Sequence, residues 1–145
     1  MKNLFAASIG AAGAAIASLW GGWDHALLTL LIFMGVDYLS GLIVAGVFKA
    51  SPKSATGALE SWAGLKGLFR KGGILLVVLI AARLDLLIGT NFVRDAVVIS
   101  FIVNETLSII ENLGLMGVPI PKPLVNAIAV LKEKADPKDG TKTDG

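Results

Sequence analysis

Four stretches of the chain are almost entirely apolar, and short polar segments separate them. A helix that crosses a bilayer needs about 20 such residues, so each stretch is a candidate membrane span. The stretches run from Leu4 to Trp20, from Ala26 to Phe48, from Gly73 to Gly89 and from Phe92 to Ile110. The first is rich in alanine and glycine and therefore only weakly hydrophobic. The pattern predicts an all-α integral membrane protein with about four hydrophobic helices, or with three spans if the first does not cross.

A basic amphipathic segment follows the second stretch. Large apolar residues recur at helical spacing, at Leu59, Trp62, Leu65, Leu68 and Phe69, and the cations Lys66, Arg70 and Lys71 lie mostly on the other side. Ser51 followed by Pro52 is a typical helix start. The segment predicts an interfacial helix with its cations toward anionic lipid. A short soluble connecting helix is the alternative interpretation.

The chain changes character after residue 110. Glycines and prolines interrupt the helical pattern between residues 114 and 123, and Leu124 to Lys134 then favours a short amphipathic helix. Residues 135–145 are polar and are predicted to be a disordered cytoplasmic tail. Residues 1–134 are accordingly predicted to form a single membrane-embedded domain.

Small residues are spaced four apart in the first two stretches. Gly10 and Ala14, and likewise Gly41 and Ala45, have the spacing that lets membrane helices approach closely. These residues predict helix packing and self-association. The alternative for the first stretch is a cleavable signal peptide. This stretch has the features of one, namely Lys2, an apolar run and small residues near position 15.

Composition and charge exclude several classes of protein. Hydrophobic residues make up 54% of the chain and charged residues 17%, with a mean hydropathy of +0.75. Without cysteine, and with His25 as the single histidine, the chain lacks a thiolate or histidine-based metal site and a serine triad. The net charge of +2 is too small to argue for nucleic-acid binding. We expect no enzyme activity, no catalytic residues, no metal and no cofactor.

The distribution of lysine and arginine predicts the orientation. The 49–72 segment contains five of these residues, the 21–25 segment contains none, and the C-terminal region adds several lysines. Because cytoplasmic loops carry the excess of positive charge, both termini are predicted to lie in the cytoplasm. The protein is then a multi-pass membrane protein.

Polar residues interrupt the apolar stretches, and Arg94 and Asp95 are among those in the fourth. The candidates for pairing or for lining a pore are Asp37, Arg83, Asp85, Asn104 and Glu105. A charge at the centre of a span is costly and should face protein or water. Counting depth from the basic segment places Asp37 and Arg83 about 16 Å into their helices, so the two are predicted to pair. Glu105, which lies near the same level, and Asp85 are the alternative partners of Arg83. The group is either a static polar clamp within one copy of the chain or the lining of a water-filled pore in an assembly.

Five motifs occur in an order that identifies a family resemblance. They are GGWD (21–24), LIFMGVDYLSG (31–41), GLKGLFRKGG (64–73), LDLLIGT (84–90) and NETLSIIENLGLMGVPIPKPL (104–124). Together they resemble the phage-lysis and toxin-secretion holins of Gram-positive bacteria and their phages. The likeness runs from about residue 21 to residue 131.

The resemblance implies a small protein that forms homo-oligomers in the lipid bilayer and opens timed lesions. A cell-wall hydrolase or a protein toxin would pass through these lesions without necessarily contacting the protein directly. A small ion channel or transporter that uses Asp37 and Glu105 is the main alternative, and a non-conducting membrane scaffold is the second.

Overall fold

The structure, a computed structural model that describes residues 1–135, consists of helices joined by short connections. The helices are α1 (Lys2–Leu19), α2 (His25–Ile43), α3 (Ser61–Ile88), α4 (Phe92–Leu115) and α5 (Lys122–Ala135). After Ile43 the helix of α2 continues through one π-helical turn, Val44–Phe48. The predicted all-α class is confirmed. The tail predicted to be disordered lies outside the described residues, except for Ala135, which ends α5.

Helices α2, α3 and α4 pack together around one apolar core. The buried side chains are Leu27, Leu30 and Met34 from α2, Ile74 and Val78 from α3, and Val98 and Ile102 from α4. Contact is most extensive between α2 and α4, and α3 packs mainly on α4. Helix α5 packs against α4, whereas α1 makes only a few contacts, which are with α3. The three central helices therefore form the framework that positions any internal polar group.

Local chemistry explains where the helices begin and end. Asp24 caps α2 because its side chain accepts a hydrogen bond from the backbone N–H of Leu27 at 2.8 Å. Gly89 ends α3 with a φ of +72°, a conformation that glycine adopts without steric cost. A turn of only three residues then leads into α4, so α3 and α4 are antiparallel neighbours.

Three helices are long and apolar enough to cross a membrane, judged by length and composition: α1, α2 with its π-helical turn, and α4. Helix α3 has 28 residues and is also long enough, but Lys71, Arg83 and Asp85 lie within its apolar part. Most of the large side chains on the surface of the bundle are apolar, including Leu39, Leu76, Ile80 and Leu87. Such a surface suits lipid rather than water.

The basic segment does not form a helix of its own, contrary to the prediction. Residues 49–60 are not helical, and the segment from Ser61 onward is continuous with the third apolar stretch as α3. The loop turns back on itself, because Ser51 N–H donates to the carbonyl of Gly57, whose φ is +76°. Gly72 and Gly73 lie within α3 because packing against α4 outweighs their low helix propensity.

Candidate functional site

Several charged and polar side chains are buried beside the apolar core of the bundle, and many large apolar side chains are exposed. The buried polar residues are Asp37, Ser40, Asp85, Arg94, Glu105, Thr106 and Asn112. Within the described residues, no buried side-chain nitrogen or oxygen lacks a hydrogen-bond partner. These groups are the candidate functional residues, because burial of charge in an apolar protein is costly and rarely without a role.

Three charged side chains from three helices meet in the middle of the bundle. Lys71 Nζ of α3 lies 2.7 Å from Asp37 Oδ2 of α2 and 2.5 Å from Glu105 Oε2 of α4. Only 7% of the Asp37 side chain and 3% of the Glu105 side chain are exposed. We call Asp37, Lys71 and Glu105 the mid-bundle cluster. It joins α2, α3 and α4 through charge-assisted hydrogen bonds, which are stronger than neutral ones.

Two neutral side chains complete the environment of Asp37. Asn112 Nδ2 of α4 donates to Asp37 Oδ1 at 3.1 Å and to Ser40 Oγ at 2.9 Å. The Ser40 hydroxyl in turn donates to the backbone carbonyl of Asp37 at 3.1 Å. Both carboxylate oxygens of Asp37 therefore have a fixed donor.

The mid-bundle cluster lies near half the depth of the bundle. Asp37 comes 11 residues before Phe48, Glu105 comes 10 before Leu115, and Lys71 comes 10 after Ser61. At 1.5 Å per residue, each is about 15 Å from the end of the bundle that carries the 49–60 loop. Since the apolar part of a bilayer is about 30 Å thick, this depth corresponds to the middle of the hydrocarbon.

The predicted pairing of Asp37 with Arg83 is wrong. Arg83 is exposed, and Lys71 takes its place beside Asp37. The prediction measured depth from Gly72, as if the helix began there, but α3 begins at Ser61. The level of Asp37 is therefore reached about 12 residues earlier, and Arg83 lies about 18 Å farther along α3. Lys71, predicted to be interfacial, is instead internal.

A second group of polar contacts surrounds Arg94 at the opposite end of the bundle. Its guanidinium binds the Asp24 carboxylate at 2.5 Å and Asp95 at 3.3 Å. It also donates to the backbone carbonyls of Trp20 at 2.6 Å and Gly22 at 3.3 Å. Arg94 thereby attaches the connection between α1 and α2 to the start of α4. The position of Arg94 in an apolar stretch is the one sequence signal that marks this arginine as unusual.

The close approach of the guanidinium restricts residue 21 to glycine. A Cβ atom at Gly21 would lie 2.8 Å from Arg94 Nε, and the φ of Gly21 is +86°. Both observations exclude a side chain at this position without local rearrangement.

Burial alone would raise the pKa of Asp24, but hydrogen bonds from Arg94 and from Leu27 N–H outweigh it and hold the pKa below its ordinary value.

Asp85 has a structural role at the same end. Its carboxylate accepts hydrogen bonds from the backbone N–H groups of Val93 and Arg94, at 3.2 and 2.7 Å, and from the Thr90 hydroxyl at 2.6 Å. It therefore caps the first turn of α4 from the preceding helix. Asp85 does not belong to the mid-bundle cluster, although the sequence predicted Asp85, Asp37 and Glu105 alike as intramembrane polar residues.

A cavity of about 490 Å³ leads from the 49–60 loop to the mid-bundle cluster. All three residues of the cluster line it, together with the exposed Asn104. Near the loop its wall carries Lys53, Lys66, Arg70 and Glu60, and Lys66 Nζ lies 5.4 Å from the centre of the Trp62 ring. The cavity is thus polar at both of its ends.

The two pairs of small residues have different surroundings. Gly10 has no atom within 4 Å of its virtual Cβ position, and Ala14 is exposed, so this face of α1 is open. Gly41 lies 3.7 Å from Asn112 Nδ2, and Ala45 is 7% exposed. Gly41 is half-buried and Ala45 is buried, so both pack against other parts of the same chain, and their role in self-association stays a prediction.

The side chains around the cavity define what chemistry is available there. The polar groups near the cavity are carboxylates, ammonium and guanidinium groups, amides and hydroxyls, and those of the mid-bundle cluster bond one another. Across residues 1–135, no group of three or more His, Cys, Asp or Glu residues is placed to hold a metal ion. What these groups can do is carry charge or contact water inside an apolar protein.

Apolar helices around buried ion pairs define the protein as a helical membrane protein. Residues 14–133 match the model of the bacteriophage holin family, and the chain belongs to this family. Holins are not enzymes.

Similar proteins occur in several Gram-positive bacteria and in one of their phages. An uncharacterised 14.9 kDa protein in the nagH 3′ region of Clostridium perfringens is 41% identical over 80% of this chain and 83% of its own length. An uncharacterised protein of Listeria innocua is 38% identical over 85% of this chain and 83% of its own length. A probable holin of Bacillus phage phi105 is 34% identical, over 75% and 76%. No solved structure matches the chain.

Proposed function

We propose that this protein is a holin that self-associates in the cytoplasmic membrane of its bacterial host and opens lesions at a set time. The lesions give a cell-wall hydrolase, or in another setting a protein toxin, a path across the membrane. Family membership and the likeness to a probable holin support this function. No direct contact between the protein and its cargo is required.

The observation that carries the proposal is the mid-bundle cluster beside a polar cavity. In a single copy, both carboxyl groups of the cluster contact the same ammonium group, that of Lys71, and this contact helps the dispersed protein to tolerate its buried polar groups. If helices separate and reassemble, the same charged side chains can face water in a lesion. One set of residues thus serves both the stable, dispersed form and the open form.

The structure supports the proposed topology, with both termini in the cytoplasm. Arg94 brings the α1–α2 connection and the start of α4 to one end of the bundle. The 49–60 loop and the basic first part of α3 lie at the other end, where Lys49, Lys53, Lys66 and Arg70 are found. Because cytoplasmic segments are rich in lysine and arginine, we assign this second end to the cytoplasm.

Self-association is proposed to use α1. This helix makes few contacts with the rest of the chain, and nearly all of its residues are exposed. Its open face carries small residues at every fourth position, Ala6, Gly10, Ala14 and Ser18, which permits close approach of a second helix in lipid.

Inducible expression in a bacterium tests the function directly. The protein is co-expressed with a cytoplasmic cell-wall hydrolase that has no export signal, and membrane potential, hydrolase release and culture turbidity are followed together. A holin is expected to produce an abrupt loss of potential, release of the hydrolase and lysis. Loss of potential without release of the folded hydrolase would contradict the proposal and favour a narrow ion channel. No change in either would favour a scaffold.

A further inference from the structure

The mid-bundle cluster contains two carboxyl groups and one cation. Lys71 is the only cation within 4 Å of Asp37 or Glu105 in the described part of the chain. If both carboxyl groups were ionised, the cluster would carry one uncompensated negative charge. Asp37 is 5% exposed and Glu105 is 2% exposed, so water compensates little of that charge. Two carboxylates that share one site rarely remain ionised together, since each disfavours the charge of the other.

The other groups around the cavity do not supply the missing positive charge. From α2, Tyr38 donates its hydroxyl to the carbonyl of Gly64 at 3.4 Å, and from α4 Asn104 and Ser108 are neutral. The remaining charged groups that face the cavity are Lys66 and Arg70 of α3 and Lys53 and Glu60 at the loop. None of these four forms a salt bridge with the cluster.

Hydrogen bonding distinguishes the two carboxyl groups. Asp37 accepts from Lys71 at one oxygen and from Asn112 at the other, so both of its carboxylate oxygens already have a donor. Glu105 accepts from Lys71 at Oε2. Its Oε1 accepts no hydrogen bond from residues 1–135. Because every fully shielded side-chain oxygen of the described residues has a partner, Oε1 keeps some contact with solvent. Glu105 also lines the cavity, so water has a path to this group.

We propose that the mid-bundle cluster is a proton-binding site, in which Glu105 Oε1 carries one exchangeable proton that is taken up from the cavity. With the proton bound, the cluster consists of one carboxylate, one ammonium and one neutral carboxyl group, and its net charge is zero. Loss of the proton to water leaves a net charge of −1 at the centre of the bundle. The ligand is therefore a proton that enters from the side of the 49–60 loop. This site does not depend on the proposed lytic function.

Infrared spectroscopy of the full-length protein in lipid vesicles tests the proposal without reference to lysis. At neutral pH we expect a C=O stretching band from one protonated carboxyl group. The band should move to lower frequency when the glutamate side chains are labelled with ¹³C at the carboxyl carbon. It should also shift in D₂O and disappear reversibly at alkaline pH, because the proton exchanges through the cavity.

Variants assign the band and control for misfolding. Glu105→Gln should abolish it, whereas Glu111→Gln, at an exposed position of the same helix, should leave it unchanged. Asp37→Asn should also abolish it, since one carboxylate then balances Lys71 without a proton. The labelled parent protein requires no substitution, so a misfolded variant does not obscure the result.

Three results would overturn the proposal. One is the absence of a protonated carboxyl band at neutral pH. Another is a band that shifts with labelled aspartate but not with labelled glutamate, which would place the proton on Asp37. The third is a pair of carboxylate bands that respond to Na⁺ or K⁺ but not to pH, which would indicate a bound metal cation instead of a proton.

Discussion

Removal of the Lys71 ammonium is the most direct test of the central arrangement. Lys71→Met keeps most of the apolar stem but deletes the charge that contacts Asp37 and Glu105 at 2.7 and 2.5 Å. A hydrogen bond to a charged group contributes about 1.5–3 kcal/mol, and loss of one partner from a buried ion pair costs about 3–5 kcal/mol. Proton uptake by the carboxyl groups offsets part of this loss. We therefore expect the free energy of unfolding to fall by about 3 kcal/mol, or about 100-fold in the folding equilibrium.

The assay is unfolding of the purified protein in mixed micelles with increasing SDS, followed by far-UV circular dichroism. Lys66→Met is the matched control, because Lys66 is exposed and its cation–π contact with Trp62 contributes only about 0.5–1 kcal/mol. The triple variant Lys71→Met, Asp37→Asn, Glu105→Gln removes all charge from the cluster and should recover much of the stability. Equal stability of the two single lysine variants, or a triple variant no more stable than Lys71→Met, would refute the reasoning.

Three further predictions follow from the other sites. Gly21→Ala should lower the free energy of unfolding by about 1–3 kcal/mol more than Gly22→Ala. Both glycines have a positive φ, but only at residue 21 would the new Cβ meet the guanidinium of Arg94. Equal losses of stability in the two variants would contradict this. Gly10→Leu should reduce the amount of crosslinked oligomers in membranes. Gly35→Leu, which changes another glycine with open space around it, should leave that amount unchanged. Unchanged crosslinking in both variants would argue against association through α1. The pKa of Asp24 is lower in the folded protein than its ordinary value of 3.8. The ionised side chain therefore contributes its full stabilisation when the pH is above 3.8, and this contribution is lost as the pH falls through the pKa of the folded state. Asp24→Asn should accordingly flatten the dependence of unfolding on acid pH, and an unchanged profile would show that another group titrates.

Membrane character and helical class were predictable from the sequence because they depend on local composition. Long apolar stretches predict helices in lipid, whatever their neighbours are. For the same reason the prediction placed the bounds of α2 with its π-helical turn within one residue and those of α5 within two, and it found the start of α4 but ended this helix five residues early. The importance of Asp37 and Glu105 was also visible, since a carboxyl group in an apolar helix requires an explanation in any fold.

The partner of Asp37 was not predictable from the pattern, because it depends on where α3 begins. Local signals favoured a helix start at Ser51 and a break at Gly72, and both signals are weak compared with packing between helices. Once α3 extends back to Ser61, the register moves Lys71, and not Arg83, to the level of the carboxyl groups. An error of about three helical turns in one boundary thus changed the identity of an ion pair.

The sequence by itself determined that this chain is a helical membrane protein with charges inside its apolar segments, since hydropathy acts over neighbouring residues. Tertiary structure alone decided that Asp37 and Glu105 meet at Lys71, that Asp85 caps α4, and that Arg94 binds the carbonyls of the α1–α2 connection. Each of these contacts joins residues that are distant in sequence or lie across a tight turn. Their geometry depends on the relative depth and rotation of packed helices, which no local pattern encodes.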